Sequence, residues 1–141
     1  MTRLYYAYPL KPLKNYIPVS TPIRVLIADD HRLFTEALEA ILQPERGIEI
    51  VGTAANGEEA VALALTLRPQ VVLMDISMPV LDGIEATRRI RSELPGASVL
   101  MLTGSNARQD VARARSAGAR GYVTKDKIAA ELVEAIVQAA A

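Results

Sequence analysis

The sequence predicts an α/β fold: a doubly wound, five-stranded parallel sheet in the flavodoxin-like order 2-1-3-4-5, with helices on both faces. Three observations predict it. Five short apolar runs alternate with five helix-patterned segments, and such alternation builds a parallel sheet through right-handed crossovers. The runs are nearly uninterrupted by polar residues, as strands covered on both faces are. The first, third, fourth and fifth runs each hand over to a polar residue at the same end, the edge where ligands bind in open α/β sheets.

The elements follow in order. IRVLIA (23–28) is a β-branched run that stops at Asp29-Asp30. HRLFTEALEAILQ then spaces Leu33, Phe34, Ala37, Leu38, Ile41 and Leu42 as the face of a first helix. IEIVGTA (48–54) reads as the second strand, and Asn56-Gly57 as a turn. EEAVALALTLR is the second helix, ended by Pro69. VVLM (71–74) forms the third strand and closes on Asp75; Pro79 and Asp82-Gly83 mark the loop after it. IEATRRIRSEL is the third helix, stopped by Pro95-Gly96, with Arg88, Arg89 and Arg91 on a solvated face. SVLMLT (98–103) is the fourth strand, and a fourth helix opens between Gly104 and Arg108 and closes at Gly118. RGYVT (120–124) is a shorter fifth strand, and an Ala-rich helix runs from about Lys127.

Composition narrows the function classes. A chain of 141 residues fits one domain. Its 16 basic and 16 acidic residues cancel, so bulk charge gives no basic face for nucleic acid. There is no cysteine, hence neither a disulfide framework nor a thiolate metal site, which is compatible with a reducing cytoplasm. Residues 1–22 stand apart: they carry four of the five tyrosines and four of the eight prolines. Prolines at 9, 12, 18 and 22 argue against a helix there, and no apolar run resembles a signal peptide or a membrane span. This N-terminal extension is read as a flexible leader or a docking arm, and residues 23–141 as the folded domain.

For strand order 2-1-3-4-5 the reversal point lies between the first and third strands. Asp29 and Asp30 leave one of them and Asp75 the other, so three carboxylates converge on one crevice. Such a cluster repels itself unless a cation is present. Hard oxygen ligands select Mg²⁺ or Mn²⁺. A carboxylate can also act as a nucleophile toward phosphorus, a reaction that asks mainly for positioning and charge stabilisation. Lys125 and the Thr103 hydroxyl, leaving the fifth and fourth strands, would serve the phosphoryl oxygens. Each residue has a plainer reading. Asp29 or Asp30 is an ordinary N-cap candidate, Asp75 a turn residue, Thr103 a strand residue and Lys125 a solvated lysine. His31, beside the acids, is a candidate catalytic base or metal ligand, but the expectation is that it faces solvent from the first helical turn.

VLIADDHRLF, VVLMDISMPVLDGIEATRRIR, VLMLTG and SAGARGYVTKD together resemble the receiver domains of bacterial two-component response regulators, from about Ile23 to the end. The ADDH opening and the GYVTKD close look most like receivers that precede LuxR-type (NarL/FixJ-like) DNA-binding domains. The resemblance implies that Asp75 is the phosphoacceptor. It implies that Asp30, Asp75 and the Ser77 backbone carbonyl hold Mg²⁺ (or Mn²⁺), with Asp29 reaching it through water or steadying the cluster. Thr103 and Lys125 would contact the phosphoryl group, Thr103 and Tyr122 would form the conformational switch, and Ser77 and Ser105 would tune the lifetime of the phosphorylated state. The implied partners are a sensor histidine kinase, an output DNA-binding domain and a second copy of the chain, with no membrane and no direct nucleic-acid contact by this domain. The implied activity is that of a cytoplasmic signalling switch that phosphorylates and dephosphorylates itself to control an output, in particular transcription. Many receivers carry proline after the lysine in a cis bond. Here Asp126 follows Lys125, and a trans bond is expected. Two rival readings are a Mg-dependent aspartyl-phosphate phosphatase or phosphotransferase acting on a small molecule, and a pseudo-receiver that only binds a partner. No cap segment or lid is evident for the first, and the intact Asp/Asp/Thr/Lys set speaks against the second.

Overall fold

The structure is a computed structural model and describes residues 21–104 and 108–141. The extension up to residue 20, and Ser105 with its two successors, lie outside the described residues. The elements run β1 (Ile23–Ala28), α1 (Arg32–Leu42), β2 (Ile48–Ala54), α2 (Gly57–Leu67), β3 (Val71–Asp75), α3 (Gly83–Glu93), β4 (Ser98–Thr103), α4 (Arg108–Ser116), β5 (Gly121–Thr124) and α5 (Ile128–Ala140). A single 3-10 turn, Lys125–Lys127, joins β5 to α5. The five strands form one parallel sheet in the order β2-β1-β3-β4-β5, as the sequence predicts.

The period-two alternation of a strand divides the core into two layers. Val25 and Ile27 of β1, Val71 and Leu73 of β3, and Leu100 and Leu102 of β4 pack with Leu38 and Leu42 of α1 and Leu132 and Ile136 of α5. Leu26, Val72, Met74, Val99 and Met101 point to the opposite face, against α2, α3 and α4. All five strand residues of β3 are buried, which explains why its sequence shows no alternation of polar and apolar side chains.

Local chemistry sets the helix ends. Asn56 Oδ1 accepts the Glu59 N–H at 2.8 Å while Glu59 Oε1 accepts the Ala55 N–H at 2.6 Å, a reciprocal cap of the kind that stabilises by about 1 kcal/mol. Asp82 caps α3 by accepting the Glu85 N–H at 2.9 Å. Thr87 is buried in α3 and donates its hydroxyl to the Gly83 carbonyl at 2.7 Å. Ser98 donates to the Ala139 carbonyl at 2.7 Å and ties the end of α5 to β4.

Two expectations are corrected. Leu33 is 82% exposed and Ala37 is also exposed, whereas Leu38 and Leu42 are buried and Phe34 and Ile41 partly so. Leu33 lies five residues before Leu38, about 140° round the helix at ~100° per residue, outside the buried stripe. On α3, Arg88 and Arg89 do form a solvated, ion-paired face, with Glu85 and Glu58. Arg91 instead donates to the carbonyls of Pro95 and Ala97.

Val80, in the loop between β3 and α3, has φ of 70° and is 77% exposed. The left-handed region costs an L-residue roughly 1–2 kcal/mol, and β-branching adds to that. Val80→Gly is expected to stabilise the domain by up to about 1 kcal/mol, after the larger unfolded-state entropy of glycine is subtracted. Thermal unfolding checks it, and a fall in Tm would contradict it.

Candidate functional site

The strand register brings the acids together. Ala28 of β1 pairs with Met74 of β3, so Asp29 and Asp75 each lie one step further along adjacent strands. Thr103 and Thr124 pair at the same edge of β4 and β5, and Lys125 follows directly. All the predicted strand-end residues therefore share the carboxyl edge of the sheet.

Neither Asp29 nor Asp30 is an N-cap. His31 holds the cap position of α1 and its side chain makes no capping bond. Asp29 is buried, 3% exposed. Its Oδ1 accepts the His31 N–H at 2.8 Å, and its Oδ2 accepts from Lys125 Nζ at 3.0 Å. Asp75 is 4% exposed, with its Oδ1 3.5 Å from the same Nζ. Asp75 Oδ2 is buried without a hydrogen-bond partner. Lys125 is accordingly no solvated lysine: its side chain is 22% exposed and its ammonium bridges two carboxylates. Thr103 is buried and Ser77 is exposed. Tyr122 is 41% exposed on β5, more open than an ordinary half-buried strand residue. The bond after Lys125 is trans, there being no cis peptide among the described residues.

One feature was missed in the sequence, and a second was raised there and set aside. The Phe34 ring lies 4.4 Å from Lys125 Nζ, a cation–π contact worth about 1 kcal/mol that holds the ammonium over the cluster. The only hint was an aromatic side chain one turn into the helix that follows the acids. The His31 side chain is 66% exposed, as expected, yet its Nδ1 turns back to 3.2 Å from Asp29 Oδ1 and 3.3 Å from Asp30 Oδ1.

The electrostatics are those of a crowded anionic site. Burial, then the negative charge of Asp29, push the Asp75 carboxyl up from 3.8 to about 6, while Lys125 and the Ser77 backbone pull the other way. One lysine does not offset three acids. Ligand atoms of Asp29, Asp30, His31 and Asp75 lie within 4.8 Å of one another. Opposite ligands of an octahedral ion are about 4.2 Å apart at Mg–O distances of 2.0–2.1 Å. The donor set, and the orphaned buried oxygen of Asp75, thus fit a divalent cation.

The comparisons with known proteins point the same way. The response regulator receiver domain family matches residues 25–137. The chain is similar to the transcriptional regulatory protein LnrK of Bacillus subtilis, 42% identical over 82% of this chain and 52% of that protein. It is similar to the response regulator protein VraR of Staphylococcus aureus, 40% identical over 81% of this chain and 54% of that protein. It therefore spans about half the length of the curated relatives it matches. Among solved structures, a LuxR-family two-component response regulator from Aurantimonas superimposes with a TM-score of 0.78 at 36% identity, covering 84% of this chain and 86% of that one. No helix among the described residues is long and apolar enough to cross a membrane.

Proposed function

The chain belongs to the response regulator receiver domain family, and on that footing we propose that it takes a phosphoryl group onto Asp75 from the phosphohistidine of a sensor histidine kinase in the cytoplasm. The observation that carries this reading is Asp75 Oδ2, a buried carboxylate oxygen with no partner, beside a lysine and two further acids. A divalent cation, Mg²⁺ or Mn²⁺, held by Asp30, Asp75 and the Ser77 carbonyl with Asp29 behind them, would supply positive charge against these acids and the incoming phosphoryl oxygens.

The residues divide the work. An Asp75 carboxylate oxygen forms the new O–P bond as the P–N bond to the kinase imidazole breaks, and the imidazole keeps the electron pair. The Lys125 ammonium, already at the cluster, pairs with one phosphoryl oxygen, and the Thr103 hydroxyl donates to another. Water later returns Asp75 to its carboxylate and releases inorganic phosphate. Ser77 and Ser105, each two positions beyond a site residue, set how readily that water attacks. The shift of Thr103 toward the phosphoryl group leaves room for Tyr122 to swing inward, and the α4–β5–α5 face carries the change to an output. That output is a second copy of the chain or an attached DNA-binding domain. Residues 23–141 form the receiver, and residues 1–22 an extension outside it.

The test is incubation with acetyl phosphate and Mg²⁺, followed by intact mass. One added phosphoryl is expected, absent in Asp75→Asn and absent with EDTA. An unmodified wild-type protein would contradict the reading, as would multiple turnover with no adduct.

A further inference from the structure

We propose that the imidazole of His31 is an additional ligand of the cation at Asp30 and Asp75, and that it makes the site prefer first-row transition cations such as Co²⁺ over Mg²⁺. The inference rests on the cluster being a cation site, as proposed above, and adds a donor of different chemistry to it.

The geometry comes from the turn between β1 and α1. The His31 N–H is held by Asp29 Oδ1 at 2.8 Å, and the residue sits at the cap position with extended backbone, φ −93° and ψ 104°. Its side chain caps nothing. The ring instead folds over the acids, with Nδ1 3.2 Å from Asp29 Oδ1 and 3.3 Å from Asp30 Oδ1. Nδ1 belongs to the same set of donor atoms, all within 4.8 Å, that includes Asp75. In the cation-free protein Nδ1–H donates to Asp29 Oδ1 at 3.2 Å, since a carboxylate oxygen only accepts. A cation entering the cluster would take over that carboxylate. The imidazole, giving its Nδ1 proton to water and taking one at Nε2, would then turn the freed Nδ1 lone pair to the ion. An independent pointer to a bound ion is the buried, unpartnered Oδ2 of Asp75. The side chain is largely exposed, 66%, so turning Nδ1 to the ion disturbs no core packing.

The choice of metal follows from donor softness. Mg²⁺ takes oxygen ligands and keeps several waters, so an imidazole adds little to its binding. Imidazole suits the later first-row ions, whose affinities rise from Mn²⁺ through Co²⁺ and Ni²⁺. The chain has one histidine and no cysteine, so a nitrogen-ligand signature from an imidazole can come only from His31.

Calorimetric titration with Co²⁺ alone and with Mg²⁺ alone tests the proposal on wild type, His31→Ala and His31→Gln. The exposed position makes both variants fold, which circular dichroism verifies. Co²⁺ affinity is expected to fall about tenfold or more in both variants, with Mg²⁺ affinity changing less than about threefold. NMR of the wild-type Co²⁺ complex should show one strongly shifted exchangeable imidazole proton, lost in both variants. Unchanged Co²⁺ affinity, or an equal fall for both ions, overturns the role of His31 while leaving the cation site intact. Failure of wild type to bind either ion removes the cation site and this inference together.

Discussion

Gly83→Ala is expected to destabilise the domain by about 3 kcal/mol or more, seen as a fall of roughly 10 °C in Tm. A methyl group at Gly83 would lie 1.9 Å from the Asp75 carbonyl oxygen and 3.0 Å from Ile76 Cα. Both contacts are with backbone, so no side-chain rotation relieves them. The Gly83 N–H also bonds to the Ile76 carbonyl at 2.8 Å, which fixes the start of α3 against the end of β3. The added methyl must therefore push α3 off the strand or displace the peptide that carries Asp75. The second route also disturbs the site, so phosphorylation by acetyl phosphate should fall together with stability. A variant with wild-type Tm would show that the approach of α3 is looser than described. Gly96→Ala is the control: a Cβ there meets nothing within 4 Å, and the expected change is small.

The second large effect concerns Asp75 in cation-free protein. Its carboxyl is pushed up from 3.8 to about 6, chiefly by burial, so the folded protein holds that proton more tightly than the unfolded chain. The stability contribution of this group is complete below about pH 4 and is lost as pH rises through about 6. A shift of this size corresponds to about 3 kcal/mol at most. Asp75→Asn removes the ionisation. In EDTA, the variant and wild type should be close in stability at pH 4, and the variant more stable by about 2 kcal/mol at pH 7.5. Denaturant unfolding at both pH values gives the difference directly, because carboxylates shared by the two proteins cancel. Parallel stability curves would contradict it. The native charge cluster is thus a local cost in the free protein, as expected of a site kept for chemistry.

Most of the fold was legible in the sequence because strand boundaries coincide with abrupt changes in polarity. β1, β2 and β4 begin and end where the apolar runs do, and β3 gains only Asp75. The reversal rule then located the acids without any knowledge of their partners, since it depends on chain direction alone. What was not legible depends on side-chain direction. The assignment of Leu33 to the buried face failed because a helical face only about 100° wide excludes a neighbour that simple apolar counting includes. The approach of Nδ1 of His31 to the acids follows from the turn held by Asp29 Oδ1, and the Phe34–Lys125 contact joins residues that are distant along the chain. The Phe34 contact leaves no mark in spacing, while the place of His31 directly after the acids marked it as a candidate without showing that its ring turns back to them. The left-handed backbone of Val80 is likewise hidden, since valine is the residue least suggestive of it.

α4 buries only Ala114 within its own length, whereas each strand of the central pair is buried almost end to end. Shifting such a helix breaks few apolar contacts and leaves both layers of the sheet packing in place. Its free energy of displacement is therefore small next to that of unfolding the domain. Under the proposed phosphorylation of Asp75, a modest bias would then be enough to reset α4 while the buried strands keep their place.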